Sequence, residues 1–249
     1  MNIRYFIRRN LPPKLIHFLR KYVLGYGDER NFSKQYYSQA GEDIILKKIF
    51  SLLSIQQGFF IDVGAYHPFD KSNTYLLSRD GWKGINIEPN PTKKHIFDTY
   101  RKKDINLPVG IAETKGLLTY YIIDEHSTMN TFSKENLVHL QMADQITQSI
   151  PVQTFPLQHI IDQYLPQNAN IDFLNIDAEG YEMEILATIN WDKNKPTVIA
   201  LEQGNLVTLK NLADSPAYKL LYSMDYEAYA RAIVLKDVST VFYVQKQFL

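Results

Sequence analysis

The segment FFIDVGAYHPFDKSNTYLL, residues 59–77, decides the fold. It begins with a short apolar run, Phe59–Val63, that ends beside an acid and a glycine, as buried parallel strands do where they reach a ligand site. A dinucleotide-binding fold would continue with further glycines at fixed spacing, which leave room for a pyrophosphate. Here Gly64 is followed instead by the bulky run Tyr66–Phe69. The segment therefore predicts a strand of a parallel sheet and a ligand that lacks a pyrophosphate.

Short apolar runs alternate with helical patterns along most of the remaining chain. This alternation predicts right-handed crossovers and a parallel sheet that is covered by helices on both faces. The runs YEAYARAIVL and STVFYVQK near the end of the chain are typical of an antiparallel hairpin. We therefore predict an α/β fold with a seven-stranded sheet, in which five parallel strands are completed by this C-terminal hairpin. The predicted parallel strands are Phe59–Val63, Gly84–Glu88, Ile105–Gly110, Phe173–Ile176 and Val198–Leu201, and the predicted helices are Ser72–Arg79, Pro91–Arg101, Leu157–Tyr164 and Tyr181–Ile189.

The N-terminal residues differ in character from the rest of the chain. The first 25 residues carry six Lys or Arg and no acid, and Leu15, Phe18 and Val23 recur at helical spacing. We assign residues 1–35 to a basic amphipathic helical segment. Such a segment either packs on its own domain or binds a membrane surface or a partner protein.

Residues 36–249 form the main predicted domain, which contains an insertion at about residues 113–156. Within it, the runs GLLTYYII and SIPVQTF predict paired strands on either side of the polar segment Asp124–Gln148. Insertions of this kind lie near the carboxyl ends of the strands, where substrates usually bind. We therefore expect the insertion to form the substrate loop.

The composition excludes several partners and chemistries. Lys plus Arg and Asp plus Glu number 27 each, so the chain has no net field for a polyanion and nucleic acid is not an expected partner. The sequence contains no cysteine, which excludes disulfides, cysteine nucleophiles and thiolate metal sites. These features, with a start that does not resemble a secretory signal, predict a cytoplasmic protein. The basic N-terminus leaves open a peripheral location at the inner face of the membrane.

Acidic residues end the first two predicted strands. Asp62 and Gly64 end the first strand, and Glu88 ends the second in INIEPNP. An acid at the second position accepts hydrogen bonds from both hydroxyls of a ribose, in NAD sites as elsewhere. S-adenosylmethionine contains a ribose and no phosphate, and its ammonium and sulfonium charges favour an acidic lining. The missing glycines therefore favour S-adenosylmethionine over NAD.

Six motifs follow one another between about Tyr36 and Val244: YSQAGEDIIL, FIDVGAYHP with SNTYLL, GWKGINIEPNP, INLPVGIA, IDFLNIDAEGYEMEIL and KPTVIALE. With them the sequence resembles the FkbM family of S-adenosylmethionine-dependent methyltransferases, although Lys195 stands where the family commonly has Arg. The resemblance implies the Rossmann-like class I methyltransferase sheet and O-methylation of a hydroxyl, most often on a sugar of a cell-surface glycan or glycoconjugate. The alternative is a non-catalytic scaffold that keeps the cofactor fold within a glycan-assembly complex.

The expected cofactor site combines the strand ends with residues that the resemblance adds. Ser72 and Asn73 begin the next helix, where they either cap it or meet the methionine carboxylate. Gln39 closes the site by resemblance, although SQAGED also fits a helix-capping motif, and Asn90 before Pro91 is also a suitable N-cap. The predicted cofactor contacts are Gln39, Asp62, Gly64, Tyr66, Ser72, Asn73, Glu88, Asn90, Ile111 and Asp177.

Three further acids are expected near the transferred methyl group. Asp177 ends the fourth strand and is followed by Glu179, and Glu202 ends the neighbouring fifth strand. With His126 of the insertion, these acids are the candidate catalytic residues, because an alcohol must lose its proton to attack. Asp177 and Glu202 are also candidate ligands of Mg²⁺ or Mn²⁺, which prefer oxygen ligands. A shared proton, direct bonding to sugar hydroxyls and a solvated acidic rim are the alternatives.

Overall fold

The structure is a computed structural model that describes residues 12–18, 35–206 and 208–249. The chain divides into two units, Met1–Tyr36 and Tyr37–Leu249. In the first unit the described residues include one short helix, α1 (Pro13–Phe18), on which Leu15 and Phe18 are exposed. The remainder of the predicted basic helical segment lies outside the described residues. No helix within the described ranges has the length and apolar character needed to cross a membrane.

The second unit contains ten strands and eight helices among its described residues. The strands are β1 (Phe59–Val63), β2 (Lys83–Ile87), β3 (Ile105–Leu107), β4 (Gly110–Ile111), β5 (Gly116–Ile122), β6 (Gln148–Phe155), β7 (Phe173–Ile176), β8 (Val198–Gln203), β9 (Tyr226–Ile233) and β10 (Ser239–Gln245). The helices are α2 (Glu42–Leu52), α3 (Tyr75–Arg79), α4 (Lys94–Tyr100), α5 (Lys134–His139), α6 (Leu157–Tyr164), α7 (Glu182–Ala187), α8 (Leu209–Leu212) and α9 (Pro216–Ser223). Short 3₁₀ turns at Pro91–Lys93, Ala143–Gln145 and Lys246–Phe248 complete the regular structure.

Seven strands form one sheet in the order β3-β2-β1-β7-β8-β10-β9. The neighbours among β3, β2, β1, β7 and β8 are parallel, whereas β10 runs antiparallel to both β8 and β9. This arrangement confirms the predicted α/β sheet of five parallel strands with a C-terminal antiparallel hairpin. The order of the parallel strands reverses between β1 and β7, which is where open α/β sheets bind their ligands.

Apolar residues cover both faces of this sheet. Phe60 of β1 packs in a cluster with Leu46 and Phe50 of α2, while Ile61 of the same strand belongs to a second cluster with Ile160 of α6. Because parallel strands are buried on both faces, β1 is apolar almost throughout instead of alternating. All of its residues are buried, including Asp62.

A buried polar network ties the segment after β1 to the sheet. The Arg101 side chain, only 1% exposed, donates from Nε to Asp104 Oδ2 over 2.7 Å and from Nη2 to Thr74 Oγ1 over 3.1 Å. Thr74 Oγ1 in turn donates to Asp62 Oδ2 over 2.6 Å. A buried cation is tolerated only where it is paired and hydrogen-bonded, and this one is. The network therefore fixes the start of α3 against the carboxyl end of β1.

The two strands of the insertion form a smaller sheet with β4, which precedes it, in the order β4-β6-β5. The predicted pairing of β5 with β6 is confirmed and is antiparallel, and α5 and the turn Ala143–Gln145 lie between them in the chain. The predicted third strand, Ile105–Gly110, was wrong in its extent. The chain leaves the large sheet after Leu107 because Pro108 has no amide hydrogen for the ladder, and Gly110 then pairs with β6.

Two predicted helices begin later than expected or change type. The predicted helix Ser72–Arg79 begins only at Tyr75, because Ser72 Oγ accepts hydrogen bonds from the amides of Thr74 and Tyr75 and so forms a turn. The predicted helix Pro91–Arg101 starts as a 3₁₀ turn, in which Asn90 caps Thr92, and becomes α-helical at Lys94. Both changes occur at the carboxyl ends of β1 and β2, where they shape the site.

Candidate active site

A cavity of about 480 Å³ opens at the carboxyl ends of β1, β2, β7 and β8. It lies at the point where the strand order reverses, as expected for a ligand site of this fold. Most of the residues predicted from sequence line it, whereas the described side chains of Asn90 and His126 do not. The predicted residues that line the cavity are Gln39, Asp62, Gly64, Tyr66, Ser72, Asn73, Glu88, Ile111, Asp177, Glu179 and Glu202.

Gly64 brings three strand ends together at the centre of this cavity. A Cβ atom at Gly64 would lie 1.7 Å from the carbonyl oxygen of Asp177, and the residue has φ +79°, which side chains rarely adopt. Its amide donates to the carbonyl of Ile87 over 3.0 Å, and the amide of Asp177 donates to the carbonyl of Val63 over 3.0 Å. Only glycine permits this approach, which explains why a glycine follows the strand Phe59–Val63.

Glu88 follows β2 and is 8% exposed. Its Oε2 accepts a hydrogen bond from the Tyr66 amide and its Oε1 one from the Asn90 amide, each over 2.8 Å. Each carboxylate oxygen has two lone pairs, so both oxygens can still accept from a ligand. Burial raises the pKa of Glu88 to about 7, against the opposing effect of the Lys93 ammonium. Asn90 therefore supports Glu88 through its backbone, while its side chain caps the next turn.

Tyr66 and Lys93 form a second wall beside Glu88. Tyr66 has φ +54°, and its ring lies 3.6 Å from Lys93 Nζ, within the range of a cation–π contact. The Tyr66 hydroxyl donates to the carbonyl of His126 over 2.8 Å, which ties the insertion to the loop after β1. His126 thus contributes its backbone here, and its predicted role as a base stays a prediction.

Asp62 is already engaged by the protein. Its Oδ1 accepts from Asn175 Nδ2 over 2.9 Å, and Thr74 occupies Oδ2. Asn175 Oδ1 accepts from Asn73 Nδ2 over 3.0 Å, which orients Asn73 at the edge of the cavity. Burial raises the pKa of Asp62, and the hydrogen bonds from Thr74 and Asn175 oppose that rise. Asp62 therefore has a structural role, and its direct contact with a cofactor stays a prediction.

Three carboxylates meet at the other end of the cavity. One oxygen from each of Asp177, Glu179 and Glu202 lies within 4.8 Å of the other two. Burial, and then the negative charge of Asp177, raises the pKa of Glu179 to about 9, and burial with the charge of Glu179 raises that of Glu202 to about 8. The pKa of Asp177 is raised well above its usual value by burial, by the charge of Glu202 and by the hydrogen bond that they share. Such a cluster is suited to taking up a proton or to binding a hard divalent cation.

The neighbouring acids have structural explanations. Glu182 Oε1 accepts from the amides of Ala178 and Gly180 over 3.0 and 3.1 Å, as an acid at a helix start does. Glu42 is 2% exposed, and its Oε2 accepts from the Ala40 amide over 2.7 Å. Glu182 therefore stabilises the turn that leads into α7.

Sequence reasoning missed several residues that shape the cavity. Asn175 interrupts the apolar strand β7, and a polar residue inside a buried strand is a signal that could have been used. Lys93, Thr131 and Asn136 also line the cavity, but they occur in polar segments where neighbouring residues have the same chemistry. The sequence does not show that Lys93 lines the cavity while its neighbour Lys94 pairs with Asp98 on the surface, because this difference arises from tertiary packing.

Comparison with known proteins gives one match to a sequence family. Residues 62–220 match the profile of the family described as the methyltransferase FkbM domain. No curated protein matches the chain.

Several solved structures are similar to the chain at low identity. One is a 1,6-didemethyltoxoflavin-N1-methyltransferase from Burkholderia thailandensis with bound 1,6-didemethyltoxoflavin and S-adenosylhomocysteine (10% identity, 94% of this chain and 90% of that chain covered, TM-score 0.44). Another is a TehB-like S-adenosylmethionine-dependent methyltransferase from Corynebacterium glutamicum (8% identity, 91% and 97% covered, TM-score 0.41). A third is a precorrin-6y C5,15-methyltransferase from Geobacter metallireducens (12% identity, 80% and 86% covered, TM-score 0.38). Similarity at this level gives no information about the acceptor.

The close approach at Gly64 gives a direct test of the site's geometry. Gly64→Ala should lower the free energy of unfolding by roughly 2–5 kcal/mol, because overpacking adds to the strain of a left-handed residue that carries a Cβ. Gly116→Ala is the matched control, since a Cβ there meets nothing within 4 Å, and it should change stability by less than about 0.5 kcal/mol. Urea denaturation measures both variants. Equal stability of the two would show that the strand ends do not depend on Gly64.

Proposed function

The chain belongs to the methyltransferase FkbM domain family, and from that premise we propose that it transfers the methyl group of S-adenosylmethionine to a hydroxyl of a sugar in a cell-surface glycan or glycoconjugate. The observation that carries the proposal is the cluster of Asp177, Glu179 and Glu202, whose oxygens lie within 4.8 Å of one another. Carboxylates accept hydrogen bonds from neighbouring sugar hydroxyls, and an alcohol needs a base before it attacks.

The residues that line the cavity suit the cofactor. Glu88 retains free lone pairs on two oxygens that are held in place by the Tyr66 and Asn90 amides, which suits the paired hydroxyls of a ribose. Gly64 carries no side chain, so the strand ends that lead to Glu88 and Asp177 lie close together and one ligand can reach both acids. Asn73 offers a polar edge near the start of α3. When bound there, S-adenosylmethionine supplies an electrophilic methyl group on a sulfonium centre.

The three carboxylates supply the proton acceptor. Glu179 and Glu202, with pKa values of about 9 and 8, are stronger bases than an ordinary carboxylate once they are ionised. As the new carbon–oxygen bond forms, the hydroxyl proton passes to one of these oxygens. The remaining contribution of the protein is to hold the acceptor oxygen in line with the methyl carbon, since correct placement accounts for much of such a barrier.

A divalent cation is the second way in which this cluster removes the proton. Asp177 and Glu202, with Glu179, would hold Mg²⁺ or Mn²⁺ through oxygen ligands. A bound cation lowers the pKa of a coordinated hydroxyl. Without a cation, one of the carboxylates would take the proton directly. Both versions use the same residues, and a chelator separates them.

The proposal extends to the location of the protein. We propose a cytoplasmic enzyme that attaches at the inner face of the membrane, or to a glycan-assembly partner, through the basic segment of residues 1–35. The support is its positive charge together with the exposed apolar residues Leu15 and Phe18 on α1. A non-catalytic scaffold with the same fold would attach in the same way, but it would not transfer methyl groups.

Binding of S-adenosylhomocysteine should weaken as the pH falls through about 7. Ribose hydroxyls donate to the ionised carboxylate, so binding favours the charged form of Glu88, whose pKa in the free protein is raised to about 7. Each pH unit below that value should lower affinity about tenfold. Calorimetry at pH 6, 7 and 8 measures this.

In Glu88→Gln, which is neutral throughout, binding should be weaker by roughly 1.5–3 kcal/mol per lost charged hydrogen bond and lose this pH dependence. A wild-type affinity that is constant from pH 6 to 8 would remove Glu88 from the site.

Methyl transfer itself tests the proposed acceptor. Radiolabelled S-adenosylmethionine and a glycan extract from the source cells should yield label in sugar that resists mild base, as a methyl ether does and a methyl ester does not. Glu179→Gln should lower the rate by about 10²- to 10⁴-fold. Glu184→Gln, on an exposed residue of α7 outside the cavity lining, should keep the wild-type rate.

The same assay separates the two ways of removing the proton. Full activity in EDTA would support the carboxylate base, while loss that Mg²⁺ or Mn²⁺ restores would support the cation. No labelled sugar under any of these conditions would contradict the proposed function.

A further inference from the structure

We propose that Thr131 and Asn136, both in the insertion, are positioning residues that hold the main chain of Glu179 so that its carboxylate faces the acceptor. The proposal rests on the proposed function, in which Glu179 is one of the proton-accepting carboxylates. It adds a role to the insertion, which would then set catalytic geometry as well as contact the substrate.

The first observation is the backbone conformation of Glu179. Its φ is +52°, in the left-handed region that side-chain-bearing residues other than Asn and Asp seldom occupy, and Gly180 follows with φ +92°. Such a conformation persists only where the surrounding structure enforces it, and it is enriched at active sites. Two successive left-handed residues turn the chain sharply between β7 and α7 and place Glu179 in the cavity lining.

The second observation is what enforces this conformation. The carbonyl oxygen of Glu179 accepts two side-chain hydrogen bonds, from Thr131 Oγ1 over 3.0 Å and from Asn136 Nδ2 over 2.8 Å. These donors lie 48 and 43 residues away in the sequence, so the contact is tertiary and not a local turn. A carbonyl has two lone pairs, and both are used here. Rotation of the peptide that links Glu179 to Gly180 would break both bonds at once.

The donors are themselves held in place. Thr131 is 1% exposed, and its backbone exchanges hydrogen bonds with Tyr121 at the end of the small sheet, over 2.9 and 3.2 Å. Asn136 lies in α5, whose N-cap Ser133 accepts from the Asn136 amide. A Cβ at Gly180 would lie 3.0 Å from Asn136 Cγ, so the amide group packs directly on the turn that it stabilises. The two donors are therefore ordered by the insertion's own sheet and helix, and from there they hydrogen-bond to the turn at Glu179.

The consequence for function follows from the position of these residues. Thr131, Asn136 and Glu179 all line the same cavity, so an acceptor there meets the insertion and the carboxylate together. The amides of Ala178 and Gly180 in the same turn bond to Glu182 and not to Thr131 or Asn136. The bonds from Thr131 and Asn136 thus fix the backbone of Glu179, and the backbone sets the direction in which its side chain leaves the turn.

The test uses substitutions that keep shape and remove the donor. Thr131→Val removes the hydroxyl within the same volume, Thr131→Ser keeps the hydroxyl as the conservative control, and Asn136→Leu removes the amide at a half-buried site. Thr131→Val and Asn136→Leu should each lower the rate of labelled methyl transfer to the glycan extract by about 10- to 100-fold. The dissociation constant for S-adenosylhomocysteine should stay at its wild-type value in both, and Thr131→Ser should keep most of the activity.

A crystal structure of the Thr131→Val/Asn136→Leu double variant supplies a readout that needs no acceptor. We expect Glu179 to leave the left-handed region, or its carboxylate to leave Asp177 and Glu202. The proposal is overturned if Glu179 keeps both its left-handed backbone and the position of its carboxylate there, or if both single variants transfer methyl groups at the wild-type rate. Should the wild-type protein label no sugar, the proposed acceptor fails, while the crystal structure still decides the role of the two donors.

Discussion

The approach of the Gly64 backbone to the carbonyl of Asp177 is the constraint on which the site depends. Because no Cβ intervenes, β1 and β7 end side by side, and the Gly64 amide also reaches the carbonyl of Ile87 at the end of β2. Glu88 and Asp177 consequently lie on opposite sides of one glycine. A ligand that lies across this glycine would meet Glu88 at one end and the cluster of Asp177, Glu179 and Glu202 at the other. This close contact therefore places Glu88 at one end of the cavity and Asp177 at the other.

The acids of the site differ in the groups that surround them. Asp62 is satisfied by side-chain donors, with Arg101 nearby, and so stabilises the loop after β1. Glu88 is held by two amides and keeps capacity for a ligand. Asp177, Glu179 and Glu202 lie beside one another, and partial burial together with their mutual repulsion raises their pKa values. Perturbed groups of this kind in a cleft are typical of functional sites, because a proton, a cation or a substrate hydroxyl would relieve their repulsion.

Much of this architecture could be predicted from the sequence because parallel strands read as apolar runs, and their last residues meet at one edge. That reasoning found the sheet, and it placed Glu88, Asp177 and Glu202 in one cavity. The predicted N-cap at Asn90 is confirmed, its amide also supports Glu88, and its contact with a cofactor stays a prediction. Sequence reasoning failed where a residue acts through tertiary contacts. The end of β3 could have been predicted, since Pro108 carries no ladder donor. Thr131 and Asn136 could not, because hydrogen bonds across more than 40 residues leave no local pattern.

A crystal structure of the protein with S-adenosylhomocysteine tests the central claim most directly. The account predicts that both ribose hydroxyls donate to Glu88 and that the sulfur lies toward the carboxylates of Asp177, Glu179 and Glu202. It also predicts that the Gly64 backbone contacts the ligand between those two ends. A ligand whose ribose lies away from Glu88, or whose sulfur faces away from the three carboxylates, would contradict the account.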